Sequence, residues 1–377
     1  VTDNFPFHHF SGTHFEVGKQ HGDALQPKIL LHLERLQRRF DRQGISIVQA
    51  EAAALGYREG IRAVSAGLDE EIRGLAEGAG ISLGAAFLLQ LRAEVFVQLV
   101  GRHGAEQECT TFAIQPERGA EGRGFVGQNA DLPAMYHDLM TVVRLSVEDE
   151  PELLMVIPAG QISYIGINNA GLGVFGNYLH CASWRDGFPR YLYTRVALRN
   201  STVHEAEAAL RELHRASSRN VIMLDAAGNA VDLENTSDEM VAIAAEHGFL
   251  THANHYLNEH LSQHEANPFL ENSQIRYRRL TGSIMASESG LDPTGIAELL
   301  RDRSDVGNEL SIYPEDDARE IDEEDRNMTV TSVIAEPARG QIWVASGPPS
   351  RHEYHLFGFA DDTPTGSPMT AATKETA

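Results

Sequence analysis

Thiols are scarce in this chain. Of 377 residues only two, Cys109 and Cys181, are cysteine, which excludes a disulfide framework and leaves at most one bridge. A lone reactive thiol suits a reducing compartment, so a cytoplasmic setting is expected. Positive charge is short as well: 31 Lys and Arg stand against 54 Asp and Glu, for a formal net charge of -23. Nucleic acid and anionic membranes both require a basic face, so neither is an expected partner, and neutral or cationic small molecules fit better. No apolar run is read as reaching membrane-spanning length. The opening Val1-Thr2-Asp3-Asn4-Phe5 lacks the pattern of a signal peptide, although a removed leader would leave no trace. No internal repeat is found.

Hydrophobic residues make up 42% of the chain, enough for a packed core. Residues 15–40 place Phe15, Ile29, Leu30, Leu33, Leu36 and Phe40 at helical spacing. Over 68–79, Ile72, Leu75, Ala76 and Ala79 form one stripe between a cap at Asp69 and a stop at Gly80, and Ser82 caps a helix to about Val100. After Cys109 the period changes. Strands are predicted over 110–114, 140–147, 153–157 and 171–175, then helices over 190–199 and 202–214, the second opened by Thr202 and Glu205 in capping-box spacing. Strands follow over 220–225, 230–235, 240–244 and 249–253, helices over 270–286 and 293–302, and strands over 329–336 and 341–346. This order fits an α+β layered domain better than a βαβ repeat. The acidic stretch 315–326 reads as a solvated loop, or less readily as a cation-attracting rim. The tail 361–377 reads as disordered.

Cys109, in Gln107-Glu108-Cys109-Thr110-Thr111, stands where the helical part meets the strand-rich part. A cysteine there suggests a chain that cuts itself between Glu108 and Cys109. The thiol of the new N-terminus would attack, and its α-amine, with an ordinary pKa of roughly 7.7–8.0, would act as the base.

Several stretches together carry a resemblance. They are Gly12-Thr13-His14-Phe15-Glu16-Val17-Gly18-Lys19-Gln20-His21-Gly22, the helix and turn of 68–82, Leu91-Arg92-Ala93-Glu94, Cys109-Thr110-Thr111-Phe112, Gly127-Gln128-Asn129-Ala130-Asp131-Leu132, Asn169 to Tyr178, Thr251-His252-Ala253-Asn254-His255-Tyr256 and Ser273 to Leu280. Over about residues 10–347 the chain resembles the acyl-coenzyme A:6-aminopenicillanate acyltransferase family of N-terminal-nucleophile (Ntn) hydrolases, and more distantly penicillin V acylases and bile salt hydrolases. The resemblance implies Cys109 as nucleophile, Asp131 as the carboxylate holding its α-amine, and Asn177 and Asn254 as oxyanion donors. Arg276 and Arg326 are the candidate site arginines. Two departures stand out: Glu108 precedes the nucleophile where relatives often have a small residue, and Gln128 stands where bile salt hydrolases have arginine.

The implied fold is the four-layer αββα Ntn sandwich, two antiparallel sheets flanked by helices. Residues 1–108 would form a helical α-segment and 109–360 the β-segment of the same domain, the two staying associated after cleavage. The implied function is hydrolysis of a linear amide of an N-acylated amine or amino acid through a Cys109 thioester, with acyl-coenzyme A-dependent acyl transfer as runner-up. A catalytically inactive binding protein is the alternative of another class. No cofactor is expected. His252 with His255, and His260 with His264, lack a recognised metal-ligand pattern with an acidic partner, so no metal is expected either. Assembly into a homo-oligomer stays open.

Overall fold

The computed structural model describes residues 6–101, 109–287, 290–317 and 319–360. Glu108 and the tail 361–377 lie outside the described residues.

A first strand, β1 (Phe7–Gly12), leads into α1 (His14–Asp41), α2 (Ile47–Leu55), α3 (Arg58–Val64), α4 (Ala66–Ala79) and α5 (Leu83–Val100). Each boundary has a local cause. Thr13 and Glu16 close a capping box at the start of α1, as Ser46 and Gln49 do for α2. Ser65 and Ser82 cap α4 and α5, and Gly80 ends α4 at φ +66. Glycines let α1 and α4 touch backbone to backbone. A Cβ on Gly18 would stand 1.9 Å from the Glu71 carbonyl oxygen, and one on Gly74 2.0 Å from that of Phe15. By length and composition α5 could cross a membrane, contrary to the sequence reading, but 72% of it is buried inside the protein, the character of a core helix.

The strands form two sheets. One has eight strands in the order β1, β4 (Met140–Val147), β5 (Leu153–Pro158), β6 (Ile165–Asn168), β7 (Gly173–Phe175), β8 (Arg219–Leu224), β9 (Ala230–Asn235) and β10 (Met240–Ala244). The other has six: β11 (Phe249–His252), β2 (Thr110–Ile114), β3 (Phe125–Pro133), β12 (Asn327–Glu336), β13 (Gln341–Ala345) and β14 (Tyr354–Gly358). Every pairing is antiparallel except β1 on β4, which is parallel. The first strand thus adds one parallel edge to two otherwise antiparallel sheets. Pairing of the first strand with β4 also carries residues 7–12 across to the β-segment.

The sheets lie face to face, β2 and β3 against β7 and β8 and β11 against β9. Helices cover the outer faces. On the eight-stranded sheet these are α1, α6 (Tyr193–Ala197) and α7 (Val203–Arg211); on the six-stranded sheet they are α8 (Leu270–Ala286) and α9 (Pro293–Leu300). Strands covered on both sides lose polar alternation: every residue of β2, β3, β5 and β8 is buried. A second apolar cluster sits outside the six-stranded sheet, where Phe112, Ile114, Phe125 and Ile334 meet Leu280, Ile284, Ile296 and Leu300. The fold is α+β, two sheets flanked by helices, as the sequence led one to expect.

The acidic stretch 315–326 is paired rather than loose. Glu324 meets Arg38, Asp322 and Asp325 meet Arg42, Asp316 meets Arg303, and Glu315 meets Arg351.

Candidate active site

The head of β2 and the C-terminal ends of β11 and β7 come together, and they bring most of the chemistry-bearing residues with them. Cys109 directly precedes β2 and is 3% exposed. Its thiol donates to the Asp131 carbonyl at 3.7 Å. Asp131, on the neighbouring β3, is fully buried, and its Oδ1 accepts from Thr329 Oγ1 at 2.5 Å. Thr329 reaches it from β12, at a register shift that falls between Thr329 and Thr331.

Arg276 rises from α8 into this junction and is fully buried. Its Nη1 donates to the Cys109 carbonyl at 2.9 Å and to Thr110 Oγ1 at 2.8 Å, its Nη2 to Asn254 Oδ1 at 3.0 Å, and its Nε to Asn272 Oδ1 at 2.7 Å. The planar fork of arginine suits this divergent set, which a single ammonium could not satisfy. Asn254 is held in turn: its backbone N–H donates to Ser273 Oγ at 2.8 Å, and its Nδ2 donates to the Tyr178 carbonyl at 3.0 Å. The second Nδ2 proton has no acceptor among the described residues, so the carboxamide can still donate one hydrogen bond.

Asn177 is differently placed. Its Nδ2 donates to the Ala253 carbonyl at 2.8 Å and to Thr111 Oγ1 at 3.1 Å, which uses both protons. The expected oxyanion donor is therefore a brace between β7, β2 and the end of β11, and its carboxamide is not available without breaking one of those bonds. Arg326 stands just before β12, where its carbonyl accepts from Ala134 N at 2.8 Å. Among the described residues no contact joins its side chain to Cys109, Asp131, Asn177 or Asn254, so of the two candidate arginines the structure brings only Arg276 to the junction.

Burial pushes the Cys109 thiol up to about 12, and the Asp131 carboxylate adds to the effect; the Asp131 hydrogen bond, Arg276 and Arg219 offset part of it. In the continuous chain the thiol is therefore neutral at neutral pH, and it needs a base beside it to react.

A second buried polar network lies behind Asn177. His252 Nε2 donates to Glu234 Oε1 at 2.8 Å, and its Nδ1 donates to the Ala253 carbonyl at 2.6 Å. Burial opposes charge on this ring, but Asp232 and Glu234 outweigh it and raise its pKa to about 9. Asn220 donates to Asp232 and accepts from the Asn177 backbone N–H at 3.3 Å. His255 is engaged elsewhere, its Nδ1 hydrogen-bonded with Ser273 Oγ at 2.8 Å, and burial and the His252 charge lower its pKa to about 4. The two histidines thus serve separate hydrogen-bond systems.

Sequence reasoning missed Thr329, Ser273, Asn272 and Arg219. Each stands beside the junction through a strand pairing or helix docking that leaves no local signature.

Residues 118–351 match the family model described as acyl-coenzyme A:6-aminopenicillanic acid acyl-transferase. The acyl-coenzyme A:6-aminopenicillanic-acid-acyltransferase 40 kDa form of Emericella nidulans is 30% identical over 228 residues, which are 60% of this chain and 60% of that relative. The match thus spans less than two thirds of the relative's length. Among solved structures, a mutant conjugated bile acid hydrolase from Clostridium perfringens is 14% identical with a TM-score of 0.48, covering 71% of this chain and 100% of that one. Penicillin V acylase from Agrobacterium tumefaciens is 15% identical with a TM-score of 0.46, covering 67% of this chain and 87% of that one. With the family model covering well over half of its length, the chain belongs to the acyl-coenzyme A:6-aminopenicillanic acid acyl-transferase family.

Proposed function

We propose that this protein is a self-cleaving cysteine amidohydrolase that cuts linear amides of N-acylated amines or amino acids. The observation that carries the reading is the Arg276 bridge, which ties the Cys109 carbonyl and the Asn254 carboxamide into one hydrogen-bonded unit. The relatives named above transfer or remove acyl groups at amide nitrogen, and the proposal extends that chemistry to this chain.

In the continuous chain the Cys109 thiol attacks the Glu108 carbonyl. The peptide C–N bond breaks, a thioester forms, and the Cys109 nitrogen takes up the proton as a free amine. Water then hydrolyses the thioester, leaving Glu108 as a carboxylate and Cys109 as an N-terminus. The freed amine answers the high thiol pKa, because it places a base with a pKa of roughly 7.7–8.0 beside the sulfur. The Asp131 carboxylate holds that amine. In turnover the thiolate attacks the substrate carbonyl, and the free Nδ2 proton of Asn254 stabilises the oxyanion, a contribution of roughly 2.7–4 kcal/mol in comparable sites. The amine product leaves with a proton, and water releases the acid from the thioester. An acyl-coenzyme A thioester as donor and an amine as acceptor would use the same intermediate, and product analysis with a competing amine separates the two readings.

Intact mass under denaturing conditions tests the first step. Wild type is expected as two fragments meeting between Glu108 and Cys109, and Cys109→Ala as one uncut chain. One uncut chain in both removes the base from the mechanism and leaves a binding protein on the same scaffold.

A further inference from the structure

The junction holds hydrogen-bond donors that the reaction above does not use. Arg219, at the head of β8, is 3% exposed, and neither its Nε nor its Nη2 has an acceptor among the described residues. Gln128, on β3, is fully buried; its Oε1 accepts from the Gly176 backbone N–H at 2.9 Å, while its Nε2 has no acceptor among the described residues. The two side chains meet at Gly176. A Cβ there would stand 3.1 Å from Arg219 Nε and 2.3 Å from the Asn220 carbonyl oxygen, so the glycine keeps the guanidinium from being pressed aside. Gln128 is the cross-strand partner of Thr111, two residues beyond Cys109. Direct partners on adjacent strands, and residues two apart on one strand, project from the same face of a sheet. Cys109, Thr111 and Gln128 therefore share the face that looks across at β7 and β8.

A guanidinium buried without an acceptor is costly, because its hydration is lost and nothing replaces it. Burial lowers the Arg219 pKa, more than the neighbouring Tyr164 and Tyr191 raise it, and Arg190 adds to the lowering. The Tyr191 ring, 5.7 Å from the guanidinium, offers a face and no anion.

We infer that Arg219 and Gln128 form an anion-binding subsite beside the nucleophile, and that the amide substrate bears a carboxylate close to the scissile bond, as an N-acyl amino acid does. This deepens the amidohydrolase reading and rests on it for the identity of the reaction. The α-carboxylate of such a substrate is separated from the amide nitrogen by one carbon, and the donors come from the strand paired with the one Cys109 leads into and from a residue close enough to act on the Cys109 thiol electrostatically. The carboxylate would accept from Arg219 and from Gln128 Nε2, giving the charge-assisted bonds both side chains lack.

The test compares one N-acyl amino acid with its neutral carboxamide on the cut enzyme, in wild type, Arg219→Gln and Arg219→Lys. Wild type is expected to favour the acid in kcat/KM. Arg219→Gln should lose about 10- to 150-fold more on the acid than on the carboxamide, the worth of hydrogen bonds to a charged group, and Arg219→Lys should recover part of that preference. Equal losses on both substrates, or no preference in wild type, would overturn the subsite. A second readout needs no turnover: alkylation of Cys109 by iodoacetate against iodoacetamide, followed by peptide mass. A subsite for anions speeds iodoacetate relative to iodoacetamide in wild type and not in Arg219→Gln; the same ratio in both proteins rejects it. If neither amide is cleaved, the amidohydrolase reading fails, and the labelling ratio still decides the subsite.

Discussion

At the scale of single residues, the junction is organised by a cation, Arg276, rather than by the Cys109 thiol. Arg276 spends its donors on Cys109 and Thr110, on Asn254, and on Asn272 of its own helix, so it ties three parts of the chain together. Arg276→Lys keeps the charge and loses the fork. It is expected to lower kcat/KM by about 10- to 150-fold, the range for hydrogen bonds to a charged group, while a thermal melt stays closer to wild type than that of Arg276→Ala. If the lysine variant melts as low as the alanine variant, the guanidinium is holding the fold rather than the site. Cys109, Asp131 and Asn254 could be singled out from the sequence because each sits in a short motif with a distinctive neighbour, and the structure brings the three to one junction. Arg276 could be narrowed only to a helix with three nearby arginines, since which arginine points inward depends on how α8 docks on β11. Asn177 was legible as a position, but the motif, an asparagine after a strand, does not show that its protons go to Thr111 and Ala253 in the continuous chain. Arg219 gave no signal, because a charge buried by a sheet pairing looks in sequence like any surface arginine.

Elements show the same division. The capping residues and the stop at Gly80 are local devices, so α1, α4, α5 and α7 start or end near where their sequences indicate. The strands β1, β6 and β14 escaped notice because they are short and made by their partners. The glycines of α1 and α4 bring the two helices backbone to backbone, and the packing is tight enough to test. Gly74→Ala would put a Cβ 2.0 Å from the Phe15 carbonyl oxygen, so the helices must separate. A loss of about 1–3 kcal/mol in denaturant unfolding is expected, as for other overpacked positions, and a loss near zero would mean that α4 slides freely on α1. Between the sheets, His252 of β11 bonds Glu234 of β9 across the sandwich. Its folded pKa of about 9 lies above its ordinary 6.5, so its stabilisation is complete below 6.5 and is lost as pH rises through 9. Asp232, pushed up by burial to about 7, acts with the same sign, since the unfolded chain releases that proton first. Melting temperature should therefore fall from pH 6.5 upward, and calorimetry of His252→Gln should show a flatter slope from 6.5 to 9 and a lower melt throughout. An unchanged slope would remove His252 as its source.

For the whole molecule, the self-cleavage proposed above would leave an α-segment before Cys109 and a β-segment from Cys109 onward, and the question is what would keep the two together. Part of the answer is charge. Arg195 of the β-segment makes a bidentate pair with Glu71 of the α-segment at 2.7 Å on both arms, and both side chains are 1% exposed. His14 adds bonds to Glu71 and Glu150, each at 3.1 Å. The ion pairs of Arg38 and Arg42 with residues 322–325 are more exposed, and each counts for about 0–1 kcal/mol and less in salt. The larger part is apolar, since α1, α4 and α5 share one buried cluster with β4, β5 and β8. The cut protein should accordingly elute as one species in about 1 M salt, where the Debye length is about 3 Å. Acid acts differently from salt. Burial disfavours the Glu150 carboxylate, yet His14, Arg195 and Arg199 lower its pKa to about 2, and Arg195 and His14 likewise lower that of Glu71. Carboxylates with depressed folded pKa values stabilise fully above their ordinary value of 4.5 and lose that contribution as pH falls through the folded one. Stability of the cut pair should thus decline from pH 4.5 toward 2. Glu71→Gln removes one charge and leaves Arg195 buried without its counter-ion, at a cost of about 3–5 kcal/mol. Size-exclusion chromatography across that pH range should then show the segments parting at higher pH in Glu71→Gln than in wild type. Identical midpoints would mean that apolar packing alone holds them, and that the buried pair only fixes their register.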